Sequence, residues 1–234
     1  MLNLTFSSLL LFLCACTSLN AQDIKAEIGL LDEVYIFDGA IDELYNTKYI
    51  LPSKVEVAST LKNSAGRYQK SHLLDNDYKT AWVEGVEGDG IGQKIRFFFE
   101  GNSVPDVISI VPGYMISEKT WYKNNRVTKF KIRILTADNS EEPNEFIAEF
   151  VITIPKDSKG NVKPNAYSVN ISPAYLHNML ASDFGIIELE ILEVDSKNAT
   201  YEDTCISEIA FYTRGDTIIK SKNRVEEYER TKAR

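Results

Sequence analysis

Between Val127 and Leu135 the chain reads Val-Thr-Lys-Phe-Lys-Ile-Arg-Ile-Leu, with apolar and polar side chains alternating. A period of two suits a strand with one buried face and one wet face, and it does not suit a helix. Lys94 to Phe99 alternates in the same way around an aromatic-rich centre, and Val107 to Val111 is the apolar run of a more deeply buried strand. Further runs rich in β-branched and aromatic residues occupy Phe146 to Ile154, Ala166 to Ile171, Ile186 to Val194 and Ile206 to Tyr212, separated by Pro, Gly, Asn and Asp clusters. The pattern predicts an all-β chain folded as an antiparallel sandwich. Short helices are expected as exceptions over Pro173 to Ala181 and over Asn223 to Arg234, the latter in a charged C-terminal tail. The stretch from Asp23 to Tyr49 reads either as an extra pair of strands or as a linker.

A chain of 234 residues, 44% of them hydrophobic, is long enough to bury a core of its own as one domain with flanking tails. Its net charge of −8 argues against a nucleic-acid partner, which calls for a clustered basic face. The first 21 residues run apolar from Leu9 to Ala15 and then turn small and polar, as an export signal does, and the apolar run is too short to span a bilayer. Leu13-Cys14-Ala15-Cys16 resembles a bacterial lipobox, in which Cys16 would be acylated and tether the protein to the cell envelope. Alternatively, Leu19-Asn20-Ala21 precedes a simple cut before Gln22 that would leave a periplasmic or secreted form. With either cut, Cys205 is the remaining thiol, expected to be a small buried hydrophobe rather than a nucleophile.

The segment from His72 to Gly92 crowds carboxylates, Thr80, Trp82 and several glycines into a loop without a period. Such an oxygen-rich turn is the usual environment of a hard cation such as calcium. The competing reading is that Asp75 and Asp77 cap nearby backbone amides, as Asp does in turns generally. Trp82, at the end of the turn, is expected to anchor the core with its indole N–H on a carbonyl. Trp121 instead lies in the polar stretch Ser117 to Arg126, where no period buries it and donors surround it. An aromatic face flanked by Asn125 and Arg126 has the chemistry to hold a sugar, with Tyr114 and Tyr122 as weaker candidates. The bland alternative is that Trp121 packs under its own loop. Glu84, Glu87 and Asp89 are the carboxylates a glycosidase would need, but they share one short loop rather than facing walls. With no nucleophile elbow or phosphate loop in the chain, the residues argue against an enzyme.

Leu74-Asp75-Asn76-Asp77-Tyr-Lys-Thr80-Ala-Trp82 resembles the Leu-x-Asp-Gly-Asp-x-x-Thr-x-Trp turn of the discoidin, or coagulation-factor type C, galactose-binding-like fold. Asn76 stands where many members carry Gly, a substitution that left-handed backbone angles tolerate. Trp82 to Gly85, Gly88 to Gly92, Gly113-Tyr114, Trp121 to Val127 and Tyr201 to Ile209 follow in an order that resembles the NADase-type glycan-binding domain. That resemblance covers roughly Pro52 to Arg214. It implies a discoidin-like jelly-roll β-sandwich over 52–214, after a signal over 1–21 and an N-terminal segment or linker over 22–51, with a charged tail over 215–234. It further implies a structural calcium held by Asp75, Asp77, Thr80 and Glu208. The NAD-cleaving activity in the name belongs to another domain and is not implied here. The expected function is non-catalytic binding of a glycan or glycosylated surface by an exported bacterial envelope protein. A structural or protein-interaction module without glycan binding is the other class such folds allow.

Overall fold

The computed structural model describes residues 22–25, 27–28, 47–63, 65–100, 104–138, 143, 145–171 and 182–214, with side chains described between Tyr49 and Thr213. Cys14, Cys16, the 173–181 stretch and the 215–234 tail lie outside the described residues. Strands β1 (Gln22–Lys25), β2 (Glu27–Ile28) and β3 (Thr47–Tyr49) are followed by β4 (Lys54–Val57) and a 3₁₀ turn at Lys70–Leu73. Next come β5 (Trp82–Val83), β6 (Lys94–Glu100), β7 (Val107–Val111), helix α1 (Glu118–Lys123) and β8 (Asn125–Ala137). The remaining strands are β9 (Glu145–Thr153), β10 (Tyr167–Asn170), β11 (Phe184–Asp195), β12 (Thr204–Ile206) and β13 (Glu208–Arg214).

The strands form two sheets, as the alternation requires. The larger has the order β1-β9-β8-β11-β6-β4, with β12 beside both β8 and β5, and the smaller has the order β2-β10-β7-β13-β3. This is the discoidin-like jelly-roll sandwich. The N-terminal segment left open between strands and linker contributes β1, β2 and β3, and β1 lies parallel to β9. Along β8, Phe130, Ile132 and Ile134 are buried while Lys129, Lys131 and Arg133 point outward, the period of two read from the sequence. Phe97 and Phe99 of β6 meet Phe211 of β13 edge-on at centroid distances of 4.8 and 5.0 Å, so aromatic rings join the sheets across the core.

The outer face of the large sheet carries a row of alternating charge. Glu149, Arg133, Glu188, Arg96 and Glu56 stand opposite one another on β9, β8, β11, β6 and β4. Arg133 Nε is 2.7 Å from Glu149 Oε2, and Glu188 lies 2.7 Å from both Arg133 Nη1 and Arg96 Nε. Burial alone would raise the Glu188 carboxyl, but the hydrogen bonds from Arg96 and Arg133 bring it below the usual range. At the end of this sheet β4 pairs with β6 alone among the described strands, and Lys70 Nζ donates to its Val55 carbonyl at 2.9 Å.

The expected strand from Ile206 to Tyr212 is two strands. β12 pairs in the large sheet and β13 in the small one, with the fully buried Ser207 at the change of sheet. Ser207 N–H donates to Val111 O at 3.0 Å, and its Oγ accepts from Met115 N–H at 3.0 Å. Period alone does not separate these strands, because both are apolar on their inner faces.

Candidate functional site

The acidic turn closes on itself through short hydrogen bonds. Asp75 Oδ1 accepts from Asp77 N–H at 3.0 Å, and Asp77 Oδ1 from Lys79 N–H at 2.9 Å. Thr80 Oγ1 is 2.8 Å from both Asp75 Oδ2 and the Asp77 carbonyl oxygen. Asn76 takes φ of +58°, the left-handed angle expected of it. Behind the turn stands Glu208, 1% exposed, and neither of its carboxylate oxygens has a hydrogen bond of good geometry. The amides of Asn76, Asp77 and Ile209 face it and favour its charged form. Burial first, and the Asp75 carboxylate second, nevertheless push Glu208 up to about 9. The structure therefore brings Asp75, Asp77, Thr80 and Glu208 together. Among the described residues no three or more His, Cys, Asp or Glu side chains surround a common point.

Trp82 is fully buried, and its Nε1–H donates to Ser59 O at 3.0 Å, the expected core anchor. Glu84 is also buried, its Oε2 accepting from Val86 N–H at 2.8 Å, which commits it to shaping its own loop. Gly85 admits no side chain here: a Cβ would lie 2.5 Å from the Thr60 carbonyl oxygen.

The sugar-contact residues expected around Trp121 require correction. Ser117 caps a short helix by accepting from Thr120 N–H at 3.1 Å, and that single turn rotates Trp121 into the core. Trp121 is 0% exposed, donates its Nε1–H to Val162 O at 3.2 Å and packs where a Cβ on Gly113 would approach within 2.7 Å of its ring. Arg126 is likewise 0% exposed and Asn125 2%. Arg126 Nη1 donates to the carbonyls of Trp121 and Asn124 at 2.7 and 2.9 Å. Its Nη2 donates to Lys197 O at 2.9 Å and lies 3.2 Å from Asp195 Oδ2. Asn125 donates to Glu202 O at 2.8 Å, and the Tyr122 ring lies under the Arg126 guanidinium at 5.5 Å. Trp121, Asn125 and Arg126 thus brace loops rather than face solvent, while Tyr122 is half-buried.

Tyr114 of that set lines an open cleft. The cleft has a volume of about 350 Å³ and lies where the loop before the 3₁₀ turn, the loop after β7, helix α1 and strand β12 converge. Its floor is apolar, built from Leu61, Val83 and Cys205, and its walls are Tyr68, Tyr114, Thr120, Asn124, Tyr201 and Asp203. The rings of Tyr68 and Tyr114 meet edge-on at 6.4 Å. Tyr201 is 51% exposed, and its loop is held by the N–H groups of Thr200 and Tyr201, which donate to Lys123 O at 2.8 and 2.9 Å. Burial, with Tyr68 beside it, raises the Tyr114 phenol. Burial pushes the Cys205 thiol well up, consistent with an inert buried side chain. Burial and the adjacent Glu202 raise the Asp203 carboxyl.

Tyr68, Thr120, Tyr201 and Asp203 were not among the expected contacts. Tyr201 and Asp203 had a signal, an aromatic and an acid in a polar stretch outside every strand run. Tyr68 had none beyond its polar surroundings.

The family model described as the NAD glycohydrolase translocation F5/8 type C domain matches residues 44–212. No curated protein matches this chain. Among solved structures, the family 32 carbohydrate-binding module of Clostridium perfringens NanJ, in complex with galactose, is 15% identical. That match covers 71% of this chain and 99% of the other, with a TM-score of 0.44. A third family 32 module of a C. perfringens family 31 glycoside hydrolase is also 15% identical, covering 70% and 94% of the two chains with a TM-score of 0.45. Likenesses this distant say nothing of a ligand. The family match spans both sheets, the acidic turn and the strand of Glu208, and on that match the chain belongs to the family of the NAD glycohydrolase translocation F5/8 type C domain.

Proposed function

We propose that this protein is a non-catalytic carbohydrate-binding module that holds its ligand in the cleft of Tyr68, Tyr114 and Tyr201. The cleft carries the reading. Its apolar floor and tyrosine walls suit the C–H faces of a sugar ring, while Asn124, Asp203 and the phenol hydroxyls offer partners for sugar hydroxyls. Among the described residues no hydrogen bond engages the hydroxyls of these three tyrosines. A glycan array probed with the wild-type chain, Tyr201→Ala and Tyr114→Ala tests the proposal. Each variant is expected to lose roughly tenfold or more in affinity, the scale of an anchoring aromatic. Tyr201→Ala should leave the melting temperature unchanged, since its ring is half exposed. Failure of the wild type to bind any glycan would turn the reading to a protein-interaction module.

A calcium ion between the acidic turn and the last strand belongs to the same proposal. The orphaned Glu208 carboxylate supports it, because a buried carboxyl facing the exposed carboxylate of Asp75 fits a cation better than it fits a void. Asp75 and Glu208 would supply charge, with Thr80 Oγ1 and the carbonyl or carboxylate of Asp77 completing an oxygen set. The ion would tie an early loop to β13.

Export, and tethering to a bacterial envelope through an acylated Cys16, rest on the apolar run from Leu9 to Ala15 and the lipobox-like Leu13 to Cys16. Fatty-acid labelling of cells making the full chain should mark the protein, and Cys16→Ser should abolish the label. A wild-type chain without label would leave the released form. Among the described residues no helix is long and apolar enough to cross a membrane.

A further inference from the structure

Of the side chains that line the cleft, Asp203 is the one that bears a formal charge at neutral pH; no Lys or Arg is among them. Its backbone is fixed, since the Asp203 carbonyl accepts from Asn125 N–H at 3.0 Å. Its carboxylate, in contrast, has no hydrogen bond or ion pair with any described residue. Asp203 is half-buried and lines the cleft together with the apolar Val83 and Cys205, so a carboxylate without such a partner is available to what enters. Two cations stand near the rim. The Lys123 ammonium lies 6.0 Å from the Tyr201 ring centroid, and Arg67 is close enough to act on the Tyr114 phenol. Behind the wall the buried Glu84 feels the Asp203 charge, and Glu202 adjoins it, so acids prevail on the side of the floor.

We propose that Asp203 makes the cleft a charge filter, which admits uncharged sugars and amino sugars and turns away sugars that carry a carboxylate or sulfate. The inference rests on the carbohydrate reading above. A carboxylate accepts hydrogen bonds from a neighbouring pair of sugar hydroxyls and pairs with a sugar ammonium. A second anion in the same partly desolvated cleft meets a like charge with no counter-ion lining the wall.

Titration of the full-length chain with galactose, galactosamine and galacturonate, and with the three corresponding gluco sugars, tests the filter by amide chemical shifts. In the series that binds, the uronate is expected to bind about tenfold or more weakly than the neutral sugar. The amino sugar should bind at least as tightly as the neutral one. Asp203→Asn, with its melting temperature checked, should bring uronate and neutral sugar within about threefold of each other, because Asn keeps the acceptor and removes the charge. Raising salt from about 0.05 to about 0.5 M should narrow the wild-type gap without any substitution. Equal binding of uronate and neutral sugar by the wild type, or a gap that survives Asp203→Asn, overturns the filter and leaves the carbohydrate reading in place. If none of the six sugars binds and the glycan array is blank as well, both fall.

Discussion

Arg126→Met is expected to destabilise the protein by roughly 3–5 kcal/mol, the cost of stranding a buried charge and its acceptors. Arg126 and Asp195 are 0% and 8% exposed and lie 3.2 Å apart. Removing the guanidinium leaves Asp195 with the amide of Lys197, at 3.0 Å, as its hydrogen-bond partner, and deprives the carbonyls of Trp121, Asn124 and Lys197 of a donor. For a domain of this size the loss corresponds to a fall of roughly 6–20 °C in melting temperature. Arg126→Lys should fall between the variant and the wild type, because one ammonium cannot reach the acceptors on both sides that the planar fork serves. Denaturant or thermal unfolding checks both. A loss below about 1 kcal/mol in Arg126→Met would mean that α1 and the loop before β12 do not depend on this brace.

Calcium at Glu208 should produce an effect of similar size. At a free concentration about a hundredfold above its dissociation constant, a ligand confined to the native state stabilises by about 2.7 kcal/mol. That is roughly 5–10 °C for this chain. The proton on Glu208 makes the effect depend on pH. The native carboxyl is pushed up to about 9, whereas in the unfolded chain it returns to about 4.5. The native state therefore binds more protons between those values. The stability conferred by that proton is full below about 4.5 and is lost as pH rises toward and through about 9. Without added metal, the melting temperature should accordingly sag across this window. Calcium, by taking the place of the proton, should restore it and release a proton on binding near neutral pH. Glu208→Gln should flatten the pH dependence and abolish the calcium response. An unchanged midpoint with chelator and with excess calcium, in the wild type, would remove the ion from the account.

Much of the sandwich was legible in the sequence because side-chain period survives where one face is wet. The lysines and Arg133 on β8 make its inner row of Phe130, Ile132 and Ile134 visible. The short strands β3, β4 and β5 gave no such signal, since two to four residues cannot establish a period. Legibility of the site divided along the same line. Asp75, Asp77 and Thr80 are neighbours in sequence, and their turn chemistry is local. Trp121 misled because this helix of six residues buries a single side chain, too few to show a period in a polar stretch. Arg126 misled for a related reason: a fully buried guanidinium, paired with Asp195 and with carbonyls drawn from two loops, looks the same in a sequence as an exposed one. The cleft itself is made by convergence of segments from Tyr68 to Asp203. Nothing in the linear order brings Tyr68 to Tyr114.

Strand β4, at one end of the large sheet among the described strands, bears on how copies of this protein behave when packed side by side. A free strand border offers unpaired amides and carbonyls to the border of any neighbour, and that is how folded β proteins zip into insoluble arrays. Here β4 is four residues long, Lys54 and Glu56 stand on it at 2.9 Å from one another, and Lys70 occupies its Val55 carbonyl. Neighbours on a crowded surface would meet charge and an occupied acceptor instead of an open ladder. Strand addition along β4 is thereby disfavoured, whatever else a neighbour touches.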